Sequence, residues 1–174
     1  GGDLTIENTR FQNSNNTAGV VLPSNKITPA KVGEAYNEPI TIPWAASTMG
    51  YDTFTVDNLP AGLTLSPMEN DATARRSTAT ISGTPTAASD GYTRVTIKNG
   101  SLYDFTIPMK MSVQKGTVAV PTATNYTYNG HNQRGFDATA NPRVVVSGQV
   151  SATYPGTYDV ELDLADPMNY TWED

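Results

Sequence analysis

From Thr93 to Val113 the chain reads TRVTIKNGSLYDFTIPMKMSV, and its apolar residues recur at every second position. Tyr103, Phe105, Ile107, Met109, Met111 and Val113 share one parity, while Asp104, Thr106 and Lys110 take the other. One face of an extended strand is therefore dry and the other wet, a pattern that a helix would scatter around its axis. Asn99-Gly100 separates this strand from the run carrying Val95 and Ile97, as a type I′ hairpin turn does. Pro108 lies on the polar parity and has no donor, which predicts an edge or a bulge at that point. Shorter alternations place Phe54 with Val56, Leu63 with Leu65, and Ala79 with Ile81 on inward faces. The turn signals Pro60-Ala61-Gly62 and Gly83-Thr84-Pro85 close these runs, and MENDATARRS between them is expected to be a loop.

Composition agrees with many short strands. The 174 residues include Gly 14 and Pro 12, with Thr, Val and Tyr abundant between them, so the fold class expected is all-β with almost no helix. A hydrophobic fraction of 37% suffices for packed cores in one large or two small domains. The formal charge of -6 argues against a surface built for nucleic acid or an anionic membrane, which needs clustered Lys and Arg. Arg75-Arg76 is the only basic doublet and reads as a solvated loop. Cysteine is absent, so disulfides and zinc-thiolate sites are excluded. Neither a signal peptide nor a run of about 18 apolar residues occurs, so no membrane insertion by this segment is expected.

The stretch Asn58 to Thr86 contains LPAGLTL and ISGTPT. It resembles the immunoglobulin-like and dystroglycan-type cadherin-like modules of bacterial surface proteins, whose signature is LPxGLxL followed by ISGTPT. Upstream, KITPAKVGEAYNEPITIP is similar to the opening of the immunoglobulin-like family, with Val32, Tyr36, Ile40 and Ile42 facing inward. The resemblance implies an immunoglobulin-like or cadherin-like β-sandwich over residues 26–114.

After Gln114 a second pattern begins. Tyr126, Tyr128, Asn129, Gly130 and Gln133, then Gly156, Tyr158, Val160, Leu162 and Leu164, resemble a bacterial surface-protein repeat with LTYNGxxQ early and AGxYxVxVxL late. The domain boundary is placed at Gln114 to Gly116, with a smaller β-module over 115–174. In YPGTYDVELDL, Tyr158 follows a turn and leads an alternating strand, which makes it the candidate for a tyrosine corner tied back to upstream backbone. In the first module Thr93 rather than Tyr92 shares parity with Val95 and Ile97, so the same device is not expected there. Repeats of this kind continue past a YxWxDG hairpin into a final strand, and here Tyr170 and Trp172 stand near the last residue. The resemblance thus implies an open sheet edge and edge-strand self-association. Residues 1–25 form a leader in which LTIENTRFQNSNN is similar to one coil of a β-helical adhesin. An ordinary flexible terminus is the other reading.

Little catalytic chemistry can be assembled from these residues. The only histidine, His131, lies in the Asn129-Gly130-His131-Asn132 turn and reads as solvated, and phosphate-cradling and nucleophile-elbow motifs are absent. Paired carboxylates remain as glycosidase candidates, among Asp57, Glu69, Asp71, Asp159, Glu161, Asp163 and Asp166. Asp159, Glu161 and Asp163 alternate with Tyr158, Val160 and Leu162, so they form the outer face of one strand. Calcium would need six to eight converging oxygens, for which neither Asp52 with Asp57-Asn58 nor Asp163 with Asp166 has a diagnostic spacing. No cofactor, metal or catalytic site is expected. Trp44, Tyr51, Tyr170 and Trp172 are the aromatics to weigh as glycan platforms, with burial favoured for Trp44 by its parity with Ile42. Parity puts Lys98, Lys110 and Lys115 outside or in turns, so no Lys-derived isopeptide bond is expected.

The resemblances imply a non-catalytic spacer and adhesion segment of a large bacterial cell-surface or secreted protein, extracellular and flanked by further modules. Its protein or glycan ligand is not identified by the sequence. The alternative is an accessory glycan-binding module of a secreted polysaccharide-degrading enzyme.

Overall fold

The computed structural model describes residues 4–12, 19–44, 50–99, 103–137 and 140–174. The described chain is all-β, with sixteen strands and no helix. It divides into two compact units, Gly1–Gln114 and Lys115–Asp174.

In the first unit, β1 (Glu7–Gln12) and β2 (Gly19–Ser24) form an antiparallel hairpin. The strands β3 (Ala30–Lys31), β4 (Tyr36–Pro43), β5 (Thr53–Asp57), β6 (Leu63–Leu65), β7 (Glu69–Asp71), β8 (Arg76–Gly83), β9 (Ser89–Asn99) and β10 (Tyr103–Gln114) follow. One sheet runs β3-β10-β9-β5, and the other runs β4-β8-β6 with β7 also paired to β8. All pairings within them are antiparallel except β3 with β10.

Alternation explains which faces are dry. Val95, Ile97, Ile107, Met109, Met111 and Val113 are buried from the first sheet, and Ile40, Ile42, Leu63, Ala79 and Ile81 from the second. Each large member contributes about 1.5–3 kcal/mol by leaving water. Phe105, Val56, Leu65 and Tyr36 reach only half burial. Asn99-Gly100, expected to be a hairpin turn, includes Gly100, which lies outside the described residues, yet β9 and β10 pair in register from Tyr103↔Asn99 to Val113↔Ser89. Pro108 has its missing donor on the side away from β9. There β3 pairs only from Val113, and the Pro108 carbonyl accepts from the Asn25 side chain instead.

The motif glycines meet each other. Gly62 (φ 89°) and Gly83 (φ 135°) occupy the left-handed half of backbone space. A Cβ on Gly62 would lie 2.1 Å from the Thr84 carbonyl oxygen, and one on Gly83 would lie 2.2 Å from that of Gly62. Thr84 N–H donates to Gly62 O at 3.2 Å and Thr86 N–H to Ala61 O at 3.0 Å. The LPAG and GTP turns are thus one clasp, which only residues lacking Cβ can close.

Two segments differ from expectation. MENDATARRS is not a plain loop: β7 pairs with β8 around a turn at 72–75. Asp71 Oδ1 accepts from the N–H groups of Thr73 (3.0 Å) and Ala74 (2.8 Å), and Arg75 takes φ 53°. The leader, read as a β-helix coil or a flexible terminus, contains the antiparallel β1–β2 hairpin and belongs to the first compact unit. Asn25, fully buried, fastens it there. Its carboxamide accepts from Ile6 N–H (2.9 Å) and donates to Leu4 O (2.9 Å) and Pro108 O (3.1 Å).

The second unit is built from three short pairings. These are β11 (Gly116–Val118) parallel to β16 (Tyr170–Trp172), β12 (Gln133–Arg134) with β14 (Ser151–Ala152), and β13 (Val144–Gly148) with β15 (Val160–Leu164). Its buried apolar side chains among the described residues are Val118, Phe136 and Val144.

Candidate functional site

The second unit carries a groove of about 510 Å³. Its floor is the buried Phe136, and half-buried Gln133, Val150 and Val160 line it. A backbone relay holds the walls, with Thr124 N–H donating to Gly135 O (2.7 Å) and Gly135 N–H to Val150 O (3.1 Å). Gly148 (φ 88°) brings β13 against β15, since a Cβ there would stand 2.5 Å from Asp159 O.

Four tyrosines from two segments line the groove with much of their surface in water: Tyr154 at 75%, Tyr128 at 57%, Tyr126 at 55% and Tyr158 at 37% exposure. The bond expected of Tyr158 is present. Its hydroxyl donates to Tyr154 O at 2.7 Å, fixing the 154–158 turn, and its ring lies on Gly156, whose Cβ would come within 3.2 Å of it. An aromatic body fixed in this way, with a polar tip, suits contact with an amphipathic ligand.

Of the aromatics weighed as glycan platforms, Trp44 and Tyr51 are buried. Trp44 Nε1 donates to Ser77 Oγ (2.8 Å), Ser77 Oγ donates to Asn70 Oδ1, and Asn70 Nδ2 donates to Tyr51 O (3.0 Å). Tyr51 closes the network through its hydroxyl to Pro43 O at 3.2 Å. These two rings are structural, and Tyr51 is corrected as a platform. Tyr170 and Trp172 are half-buried, with the Arg143 guanidinium 4.3 Å from the Tyr170 ring centre.

No family model matches the chain. No curated protein matches it either.

None of the carboxylates is among the residues that line the groove. Asp159, Glu161 and Asp163 are exposed along the outer face of β15 and its approach, and Asp166 caps its own turn by accepting from Asn169 Nδ2 at 2.8 Å. Asp71 is engaged with Thr73 and Ala74 as described, while Glu69 and Asp57 are exposed. Among the described residues, no three of His, Asp and Glu converge as a metal site would require. His131 is exposed, its N–H held by Asn129 Oδ1 at 2.9 Å. Lys110 pairs with Asp90 (2.7 Å) and Lys115 donates to Pro167 O (2.6 Å). Arg75 and Arg76 are exposed as expected, and the Arg75 guanidinium lies 5.8 Å from the Trp44 ring centre.

Proposed function

We propose that the chain is a non-catalytic structural and adhesive segment of a large bacterial cell-surface or secreted protein. Its first unit is read as an immunoglobulin-like, cadherin-like sandwich and its second as a surface-repeat β-module. The sequence resemblance and the paired sheets of the first unit support this reading.

One observation carries it. The strand by which the chain joins the first sheet runs parallel to β10, by which it leaves. Lys110 N–H donates to Asn25 O (2.6 Å), Ile27 N–H to Lys110 O (2.9 Å) and Val32 N–H to Gln114 O (3.0 Å). Tension along the chain pulls such parallel strands past each other, so the bonds are loaded together rather than unzipped singly. That suits a spacer which holds another domain away from an envelope. End-to-end extension of single molecules tests it. The first unit should yield at a resolved force peak that Ile27→Pro, which deletes the donor to Lys110 O in this parallel pairing, lowers. A featureless extension, or a peak unmoved while Ile27→Pro lowers chemical stability, overturns the reading.

The partners proposed are neighbouring modules and a second copy of the chain. Among the described residues β16 is paired on one side only, to β11, and an open edge templates further pairing. Sedimentation velocity across concentrations should show a dimer; a single monomeric species argues against it. The alternative, an accessory glycan-binding module of a secreted polysaccharide-degrading enzyme, is favoured by the tyrosine groove. A hydrolase domain adjoining this segment in the parent chain would select it.

A further inference from the structure

We propose that the groove of the second unit binds a neutral oligosaccharide through Tyr126, Tyr128, Tyr154 and Tyr158. The ligand class follows from what the groove offers and what it lacks. None of its lining residues is Asp, Glu, Lys, Arg or His, although the chain carries a formal charge of -6. A ligand bearing carboxylate or sulfate groups would find no cation among those lining residues, the neighbouring Arg134 being engaged through its Nε with Phe136 O at 2.9 Å, and would meet the repulsion of the whole chain.

A sugar ring presents an apolar face of C–H groups and a rim of hydroxyls that both donate and accept. The tyrosine rings supply a partner for the first. Gln133 and Gln149 carry carboxamides with donors and an acceptor for the second, Gln149 Nε2 also donating to Ser151 O at 3.4 Å. A proline-rich peptide, the other frequent occupant of aromatic grooves, presents carbonyl acceptors and few donors, and so leaves the acceptor half of those amides unused. The groove's 510 Å³ lies within the range of about 300–1,000 Å³ typical of small-ligand sites. Two of the four rings come from 126–128 and two from 154–158, so the ligand is contacted by both segments. The Tyr158 bond to Tyr154 O and the ring's seat on Gly156 fix one of these platforms before the ligand arrives, which reduces the ordering cost of binding.

The site does not depend on whether the parent is an adhesin or a hydrolase, nor on the load path through the first unit. The experiment is affinity electrophoresis of the full chain through gels containing dextran, galactomannan, xyloglucan or mixed-linkage β-glucan, with polygalacturonate as the anionic control. A proline-rich peptide is titrated in parallel. At least one neutral polysaccharide should retard the chain, and the double variant Tyr126→Ala/Tyr128→Ala should weaken that by about tenfold or more. Both rings are more than half exposed, so the variant should keep its circular dichroism spectrum and melting behaviour. If it does not, Tyr154→Ala, at the most exposed of the four, replaces it with the same expected loss. Retardation by none of the neutral polymers, retardation only by polygalacturonate, binding only of the peptide, or a folded variant retarded as strongly as the unmodified chain overturns the proposal.

Discussion

Replacing Gly83 by alanine tests whether the LPAG and GTP turns form one structural clasp. The new Cβ would stand 2.2 Å from Gly62 O, 3.2 Å from Gly62 C and 3.3 Å from Leu63 Cα, all backbone atoms that no rotamer change can move aside. At φ 135° an L side chain is strained as well. That strain costs about 1–2 kcal/mol. Separating the turns also weakens the bonds from Thr84 N–H to Gly62 O and from Thr86 N–H to Ala61 O, each worth about 1 kcal/mol. The sum is roughly 3–4 kcal/mol, a large share of the 5–15 kcal/mol that holds a typical domain. Gly91 is the internal control, since its Cβ would meet nothing within 4 Å and its φ is ordinary. Gly91→Ala should be neutral or stabilising by about 0.5 kcal/mol. Urea unfolding followed by tryptophan fluorescence in a Trp172→Phe background isolates Trp44, the remaining one of two tryptophans. A Gly83→Ala variant within about 0.5 kcal/mol of its parent, or a Gly91→Ala variant equally damaged, would refute the clasp.

Asn25→Ala should cost about 2–3 kcal/mol, because its carboxamide serves Ile6 N–H, Leu4 O and Pro108 O from a fully buried site; hydrogen exchange at Ile6 should accelerate, and unchanged protection would count against the fastening role. Ser77→Ala should strand the Trp44 indole N–H at a cost of about 1–3 kcal/mol; urea unfolding with an unmoved midpoint would contradict it. Burial, and then the Glu38 charge, raise the Tyr36 phenol from 10.0 to about 12. The native state therefore holds that proton more tightly than the unfolded chain, so this contribution to stability is complete below pH 10 and is lost as pH rises from 10 to 12. Tyr36→Phe should flatten that part of the stability profile, and an unchanged slope would rule out Tyr36 as its source.

Parity made the sheet faces legible because apolar burial and period two coincide in β9 and β10. It gave less where strands are short: Val56 and Leu65 share the right parity yet stay half-buried near strand ends. Polar residues that turn inward were the main blind spot. Asn70, Ser77 and Asn25 look like loop chemistry, but Ser77 and Asn25 are buried and the carboxamide of exposed Asn70 bonds to Tyr51 and Ser77, which is why MENDATARRS and the leader concealed hairpins. The groove was missed for a related reason. In the sequence Tyr126 and Tyr128 stand at repeat-motif positions, whereas Trp44, Tyr51, Tyr170 and Trp172 are the aromatics that suggest platforms. A signal was available in NYTYNG, where the two tyrosines share one face with each other and with no aliphatic residue, Thr124 and Gly130 standing at the next positions of that parity.

The distribution of buried side chains also bears on how stability and binding are coupled. The second unit, residues 115–174, buries only Val118, Phe136 and Val144 among its described apolar side chains, whereas the first fills both sheets. A domain of about 60 residues is already close to the lower limit of independent stability, so the second unit should unfold first, reported by Trp172. A ligand that fills its groove adds RT ln(1 + [L]/Kd), about 2.7 kcal/mol at a hundredfold excess over Kd. For a unit of this size that corresponds to a rise in Tm of roughly 10–20 °C. The first unit, reported by Trp44, gains nothing from the same ligand. Differential scanning calorimetry should therefore show the two transitions converge as a retained neutral polysaccharide is added. Parallel shifts of both, or an earlier melt of the first unit, would show that the tyrosine groove and the core beneath it are not coupled in this way.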